Sequence, residues 1–146
     1  MTVLDFGCGP GFFTVALAEM VGASGRVIAA DLQDEMLRRL GAKLERLGLS
    51  TRVSPHKCAS QSLGLTEKVD FVVAFYVVHE LPDRAGFFQE LSGALKPTGS
   101  VLVVEPPFHV SAAAFKDTIG VAESAGFRCE EGPHVLFSKS ALLKKG

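Results

Sequence analysis

Near its start the chain reads VLDFGCGPG from Val3 to Gly11: a carboxylate, Asp5, stands two residues ahead of the turn Gly7-Cys8-Gly9-Pro10-Gly11. Glycine presents bare backbone, so a ligand can approach the main chain closely there and meet its N–H groups. A second carboxylate, Asp31, ends the next apolar run, where an acidic side chain can accept two hydrogen bonds from a ribose diol. Either feature alone is ordinary, a tight glycine turn or a helix cap. Together they read as a nucleoside cradle. The dinucleotide fingerprint asks for its third glycine one position later, where Phe12 stands. Asp5 would repel a phosphate and suits a ligand carrying an ammonium group.

Candidate general bases follow the later apolar runs. His79 and Glu80 come after the fourth and His109 after the fifth, behind Pro106-Pro107, and histidine is the natural proton acceptor near neutral pH. The alternatives are a loop anchor for His79 and a solvated ring for His109; Tyr76 either lines a pocket or packs. His56 and Cys58 alternate on one strand face, but no matched ligand pair completes a metal site, and none is expected.

Short apolar runs alternate with longer amphipathic ones, the pattern of strand and helix units wound into a mostly parallel sheet. Strands are expected over Thr2 to Phe6, Arg26 to Asp31, Arg52 to Cys58, Val69 to Phe75 and Ser100 to Glu105, several apolar throughout, as central parallel strands are. Asp34 is expected to cap a helix with Met36, Leu40, Leu44 and Leu47 on one stripe, and Gly48 to end it. Asp83 precedes a helix carrying Phe87, Phe88 and Leu91, after which Lys96-Pro97-Thr98-Gly99 breaks the chain; Ser111 caps another, with Phe115, Ile119 and Ala122 inward. The tail from Phe127 to Lys145 reads as two strands around Gly132-Pro133, the last one antiparallel.

The segments VLDFGCGPG, VDFVVAFYVVHEL, LKPTGSVLVVEP and AGF, with Asp31 between the first two, resemble the class I S-adenosylmethionine-dependent methyltransferases, in register from Val3 to about Phe127. The resemblance implies a doubly wound, Rossmann-like α/β sheet of seven strands, mostly parallel with an antiparallel last strand. It implies S-adenosylmethionine as cofactor and methyl transfer to an unidentified acceptor as activity. On that pattern Gly7, Gly9 and Gly11, with Cys8 and Pro10 between them, line the methionine part. Asp5 supports the loop and the ammonium, and Asp31 holds the ribose hydroxyls. Leu32 and Met36 flank the adenine, and Phe75 lends backbone near the methionine end. Many relatives place an Asp after the third strand to meet the adenine amino group; here Cys58-Ala59-Ser60 stands there, leaving Ala59 backbone or Ser60 for that contact. Relatives also carry helices ahead of the first strand, which this chain lacks.

That difference bears on the helix FFTVALAEMV, whose polar members are Thr14 and Glu19 alone. A helix apolar nearly all round is buried on more than one side. A homodimer partner, another subunit or a leader segment ahead of this sequence is therefore expected to cover it. Two rivals remain: a catalytically silent S-adenosylmethionine-binding subunit acting with a partner, and a nicotinamide-dependent oxidoreductase, disfavoured by Phe12 and by the lack of a Tyr-x-x-x-Lys set.

Composition bounds the rest. The 146 residues suit a single domain spanning the chain, and 47% hydrophobic with 21% charged residues describes a folded one. Fifteen basic against sixteen acidic residues give a net charge of -1, which does not favour nucleic acid. Three dispersed cysteines suggest a reducing, cytoplasmic setting, and no run approaches the length of a membrane span.

Overall fold

The computed structural model describes residues 1–146. Its seven strands form one sheet in the order β3-β2-β1-β4-β5-β7-β6. They are β1 (Thr2–Phe6), β2 (Arg26–Asp31), β3 (Val53–Lys57), β4 (Val69–Phe75), β5 (Leu95–Glu105), β6 (Phe127–Glu131) and β7 (Lys139–Lys145). Pairs β1–β2, β1–β4, β2–β3 and β4–β5 are parallel, while β7 runs antiparallel to both β5 and β6. The order reverses at β1 and β4, so the crevice beyond their carboxyl ends is the switch point where open α/β sheets take ligands. The sheet expected from the sequence is the sheet found.

The helices are α1 (Thr14–Val21), α2 (Asp34–Leu47), α3 (Arg84–Ala94) and α4 (Ala112–Ser124), with a short 3-10 turn at Val78–Glu80. Strand alternation sends Leu4, Phe6, Ile28 and Ala30 to one face, into a core with Val72, Phe88, Leu91 and Leu143. Val27, Ala29 and Val53 go to the other, against Ala18, Leu40 and Leu44. Both faces are thus covered, as central parallel strands require. Phe88 is fully buried and meets Phe87 and Phe127 edge-on at 5.3 and 6.1 Å. Burying a side chain of that size contributes about 3 kcal/mol.

Several boundaries differ from expectation, each for a local reason. Gly11 has φ +103, which no helix tolerates, and the Thr14 hydroxyl is tied back to Asp5, so α1 starts at Thr14 and leaves Phe12 and Phe13 in the turn. Asp34 lies inside α2, whose N-cap is Gln33; its carboxylate sits in the first turn, where the helix dipole favours it. Leu47 is exposed, and Leu37 joins Leu40 and Leu44 against the core instead. Gly48 ends the helix in a left-handed conformation, φ +70. Lys96 to Gly99 do not break the chain. Strand β5 runs through them, and the pairing jumps from Val69–Leu95 to Phe71–Ser100, so they bulge out of the ladder where Pro97 has no N–H to donate. Asp83 and Ser111 cap α3 and α4 as expected, accepting from Gly86 N and Ala114 N at 3.0 Å each.

Candidate functional site

The glycine turn leaves β1 at the switch point and is fixed by its neighbours. The N–H groups of Gly7 and Cys8 both donate to the Ala30 carbonyl, at 2.9 and 3.0 Å, hooking the turn onto β2. Asp31 Oδ2 accepts from Gly9 N at 2.9 Å and Oδ1 accepts from Gln33 N at 2.9 Å, so one carboxylate holds both the turn and the start of α2. Each oxygen keeps a second lone pair with which to accept from a diol.

The three glycines do different work. A Cβ on Gly7 would lie 2.7 Å from Val77 Cγ2, and one on Gly11 would lie 2.8 Å from Leu40 Cδ1, so packing as well as positive φ excludes side chains there. Gly9, at φ +56, has nothing within 4 Å of where its Cβ would be. It is the position whose bare backbone faces open space.

Asp5 lies beneath the turn, 2% exposed, and accepts from Thr14 Oγ1 at 2.6 Å. Burial is the largest influence on it and Asp31 adds repulsion; although the Thr14 hydrogen bond pulls the other way, its pKa is pushed up to about 6. A cation arriving above the turn would relieve both penalties. Cys8 is a packed thiol, 4% exposed, its pKa pushed by burial and by nearby carboxylates up to about 12. It fills space and takes no part in chemistry as a thiolate.

An open crevice of about 710 Å³ runs over the turn, lined by Gly7, Asp31 and Leu32 on one side and by Phe75, Tyr76, Val77, Glu80 and Leu81 on the other. It shares Phe6, Leu32, Leu81 and Pro82 with a neighbouring hollow reaching Ala59, Ser60 and Phe87. The two lobes share these four residues as a common border, one beside Asp31 and the other between the apolar Phe6, Leu63 and Phe87 and the acidic Asp83 and Glu90. No lysine or arginine lines either lobe, whereas Asp31, Glu80, Asp83 and Glu90 do. Such a field repels phosphate and favours a cationic ligand.

Of the residues expected in the site, Gly7, Asp31, Leu32, Ala59, Ser60 and Phe75 line these lobes. Asp5 and Cys8 lie buried beneath the turn, and Gly9, Pro10 and Gly11 form the turn itself. Met36 sits half-buried on α2, outside both linings. The histidines are also elsewhere: His109 is exposed in the turn after β5, and His79 turns its ring onto Glu105, Nδ1 to Oε1 3.3 Å, rather than lining the crevice.

Two residues, and the backbone conformation of a third already singled out, escaped the sequence reading. Glu90 Oε2 accepts from Leu63 N at 2.9 Å and so shapes the apolar lobe. Glu105 is completely buried at the end of β5. Tyr76 stands at φ +59, a conformation bulky residues rarely adopt; its ring packs at a tilt against Phe75, centroids 4.4 Å apart, and Phe75 packs likewise against Phe13 at 4.3 Å. An end-of-strand Glu and a helical Glu carry no local pattern that separates them from solvated ones.

Comparison with known proteins agrees with this geometry. The family model described as "Methyltransferase domain" matches residues 3–99. The chain is 34% identical over 104 residues to the ubiquinone/menaquinone biosynthesis C-methyltransferase UbiE of Pasteurella multocida, covering 70% of this chain and 39% of that protein. It is 32% identical over 103 residues to the demethylmenaquinone methyltransferase of Lactobacillus johnsonii, covering 70% and 42%. The chain thus spans well under half the length of these relatives. A SAM-dependent methyltransferase structure from Aquifex aeolicus superposes with a TM-score of 0.86 at 30% identity, covering 98% of this chain and 80% of that one. The [4+2]-cyclase SpnF shares the fold alone, at a TM-score of 0.76 and 19% identity. A crevice that suits an adenosyl cation, on a sheet with β7 antiparallel, agrees with what these likenesses establish: the chain belongs to the class I S-adenosylmethionine-dependent methyltransferases.

Proposed function

We propose that this chain binds S-adenosylmethionine across the two lobes and transfers its methyl group to a small, largely apolar acceptor. The observation that carries the reading is the crevice bordered by Gly7 of the glycine turn, walled by four carboxylates and free of basic side chains. When bound, the cofactor supplies a methyl on a sulfonium, open to in-line displacement. The protein's part is alignment. Asp31 would accept from the ribose hydroxyls, Leu32, Ala59, Ser60 and Phe87 would enclose the adenine, and Asp5 would offer charge beneath the ammonium end. Oδ1 of Asp5, which makes no hydrogen bond within the chain, is the atom for that role.

A hydroxyl or ammonium acceptor releases a proton on methylation, and Glu80 lines the crevice with His79 Nε2 3.7 Å from its Oε1. Glu80 is thus the group placed to receive it. His109, exposed and unbonded, is kept as a second base for an acceptor entering from the β5 side. The relatives named for ubiquinone and menaquinone biosynthesis, and the packed rings of Phe13, Phe75 and Tyr76, support an aromatic acceptor.

Phe12 and Met20 are 79% and 80% exposed. A second copy of this chain or a partner subunit covering them accords with that exposure, and sedimentation would test it: a strict monomer with every candidate partner would oppose it. No helix is long and apolar enough to cross a membrane. A cytoplasmic location is our reading of three free cysteines. The reaction is tested by following labelled methyl from S-adenosylmethionine into a panel of phenols, quinols and amines; label in an aromatic acceptor supports the proposal, and label in none, with any subunit added, overturns it in favour of a silent binding subunit.

A further inference from the structure

The carboxylate of Glu105 has 0% exposure, and its Oε2 has no hydrogen-bond partner. A buried carboxylate left half-satisfied is costly, and replacing it with an apolar side chain of similar volume is commonly neutral or stabilising. Stability alone therefore gives no reason for a glutamate here. Its engaged oxygen, Oε1, faces His79 Nδ1 at 3.3 Å. Burial raises the Glu105 pKa, while the His79 ring and the backbone of His79 and Val78 pull it back. These are the residues of the 3-10 turn that follows β4.

That turn belongs to the connection from Tyr76 to Pro82, which supplies most of one wall of the crevice. The connection presses on the glycine turn: Val77 Cγ2 lies 2.7 Å from where a Gly7 Cβ would be. At its start Tyr76 is held at φ +59, and its N–H donates to Val104 O at 2.7 Å. A non-glycine residue in that conformation persists only where its surroundings over-determine it. From one side Tyr76 is held by the β5 backbone, and from the other Glu105 grips the turn two residues on.

We propose that Glu105 is a positioning residue: by gripping the His79 ring from the end of β5, it sets the Tyr76–Pro82 wall against the glycine turn and so sets the affinity of the crevice for its adenosyl ligand. The claim rests on the cofactor reading of the crevice. Glu105 touches no ligand; it acts through His79 and Val77.

The test uses Glu105→Leu and Glu105→Gln beside the wild-type chain, with three measurements: calorimetric titration with S-adenosylhomocysteine, thermal midpoint, and hydrogen exchange resolved to residues 76–82. Glu105→Leu should weaken S-adenosylhomocysteine about tenfold and speed exchange in 76–82, while the midpoint holds or rises. Glu105→Gln, which keeps an acceptor for the Nδ1–H, should recover most of the affinity. A structural role alone would lower the midpoint and affinity together, or leave affinity untouched; either result overturns the proposal. Should Glu105→Leu fail to fold, His79→Ala, which removes the gripped ring, decides: weaker S-adenosylhomocysteine with faster exchange confined to 76–82 supports the proposal, and unchanged affinity or faster exchange throughout the sheet overturns it. Wild-type binding with unaltered binding by Glu105→Leu removes the positioning role and leaves the cofactor reading standing. Failure of the wild type to bind removes both.

Discussion

Asp5 offers the sharpest physical test of the site, because its burial makes stability and binding pull in opposite directions. Its pKa is raised from an ordinary 3.8 to about 6, chiefly by desolvation. Between those values the folded chain keeps a proton that the unfolded chain has lost. Stability contributed by this group is therefore full below about pH 4, declines as pH rises toward 6, and is level above it. The shift of about two units corresponds to about 3 kcal/mol. Asp5→Asn keeps an acceptor for Thr14 and cannot ionise, so it should lack the decline. Its amide must house two extra hydrogens beneath the turn, at a cost of about 1–3 kcal/mol that does not vary with pH. The measurable quantity is therefore the slope: urea denaturation of both proteins from pH 4 to 7.5 should show wild type losing about 3 kcal/mol relative to Asp5→Asn, most of it before pH 6.5. The same substitution should weaken S-adenosylmethionine at pH 7.5, where the wild-type carboxylate is charged. A difference in stability that stays flat with pH, or that grows in favour of wild type as pH rises, would refute the reasoning.

Gly9→Ala should cost only about 1–2 kcal/mol of stability, from its left-handed backbone, yet reduce S-adenosylhomocysteine affinity at least about tenfold, because on the cofactor reading its Cβ would occupy the open space above the turn that the ligand takes; calorimetry and denaturation on one sample separate the two effects. Gly11→Ala, at φ +103 and against the buried Leu40, should instead lose about 2–4 kcal/mol of stability. Burial pushes the thiols of Cys8 and Cys58 up to about 12 and about 11, so iodoacetamide at pH 8 should leave both unmodified in the native chain, as read by peptide mass, and modify both in urea. Phe88→Ala should destabilise the sheet by about 3–5 kcal/mol in a denaturant titration, since the ring is fully enclosed.

The parts of the fold legible in the sequence were those where local pattern and tertiary role agree. The runs of β1, β2 and β4 matched their observed bounds to the residue, because each holds a continuous buried apolar stretch, such as Val27 to Ala30 and Val72 to Ala74, flanked closely by polar or turn-forming residues. The glycine turn and Asp31 were legible because positive φ and a strand-end carboxylate leave few other uses for those residue types. What stayed hidden depends on distant contacts. Leu47 fits the helical stripe, yet it lies beyond the reach of the sheet, and Leu37 takes the inward place. Met36 points along the same helix, but the crevice passes it by. His79 carries the residue type of a base, whereas its orientation is dictated by Glu105, 26 residues away in the chain. That contact is a property of the pair, and no window containing either residue alone reveals it.

The central claim is that this acid-walled crevice holds an adenosyl sulfonium and not a nucleotide phosphate. Titrating the chain side by side with S-adenosylmethionine, S-adenosylhomocysteine, NAD and ATP measures it directly. Saturable one-to-one binding of the first two, with no heat from NAD or ATP, is the predicted result; binding of either phosphate ligand in preference to S-adenosylmethionine would contradict it.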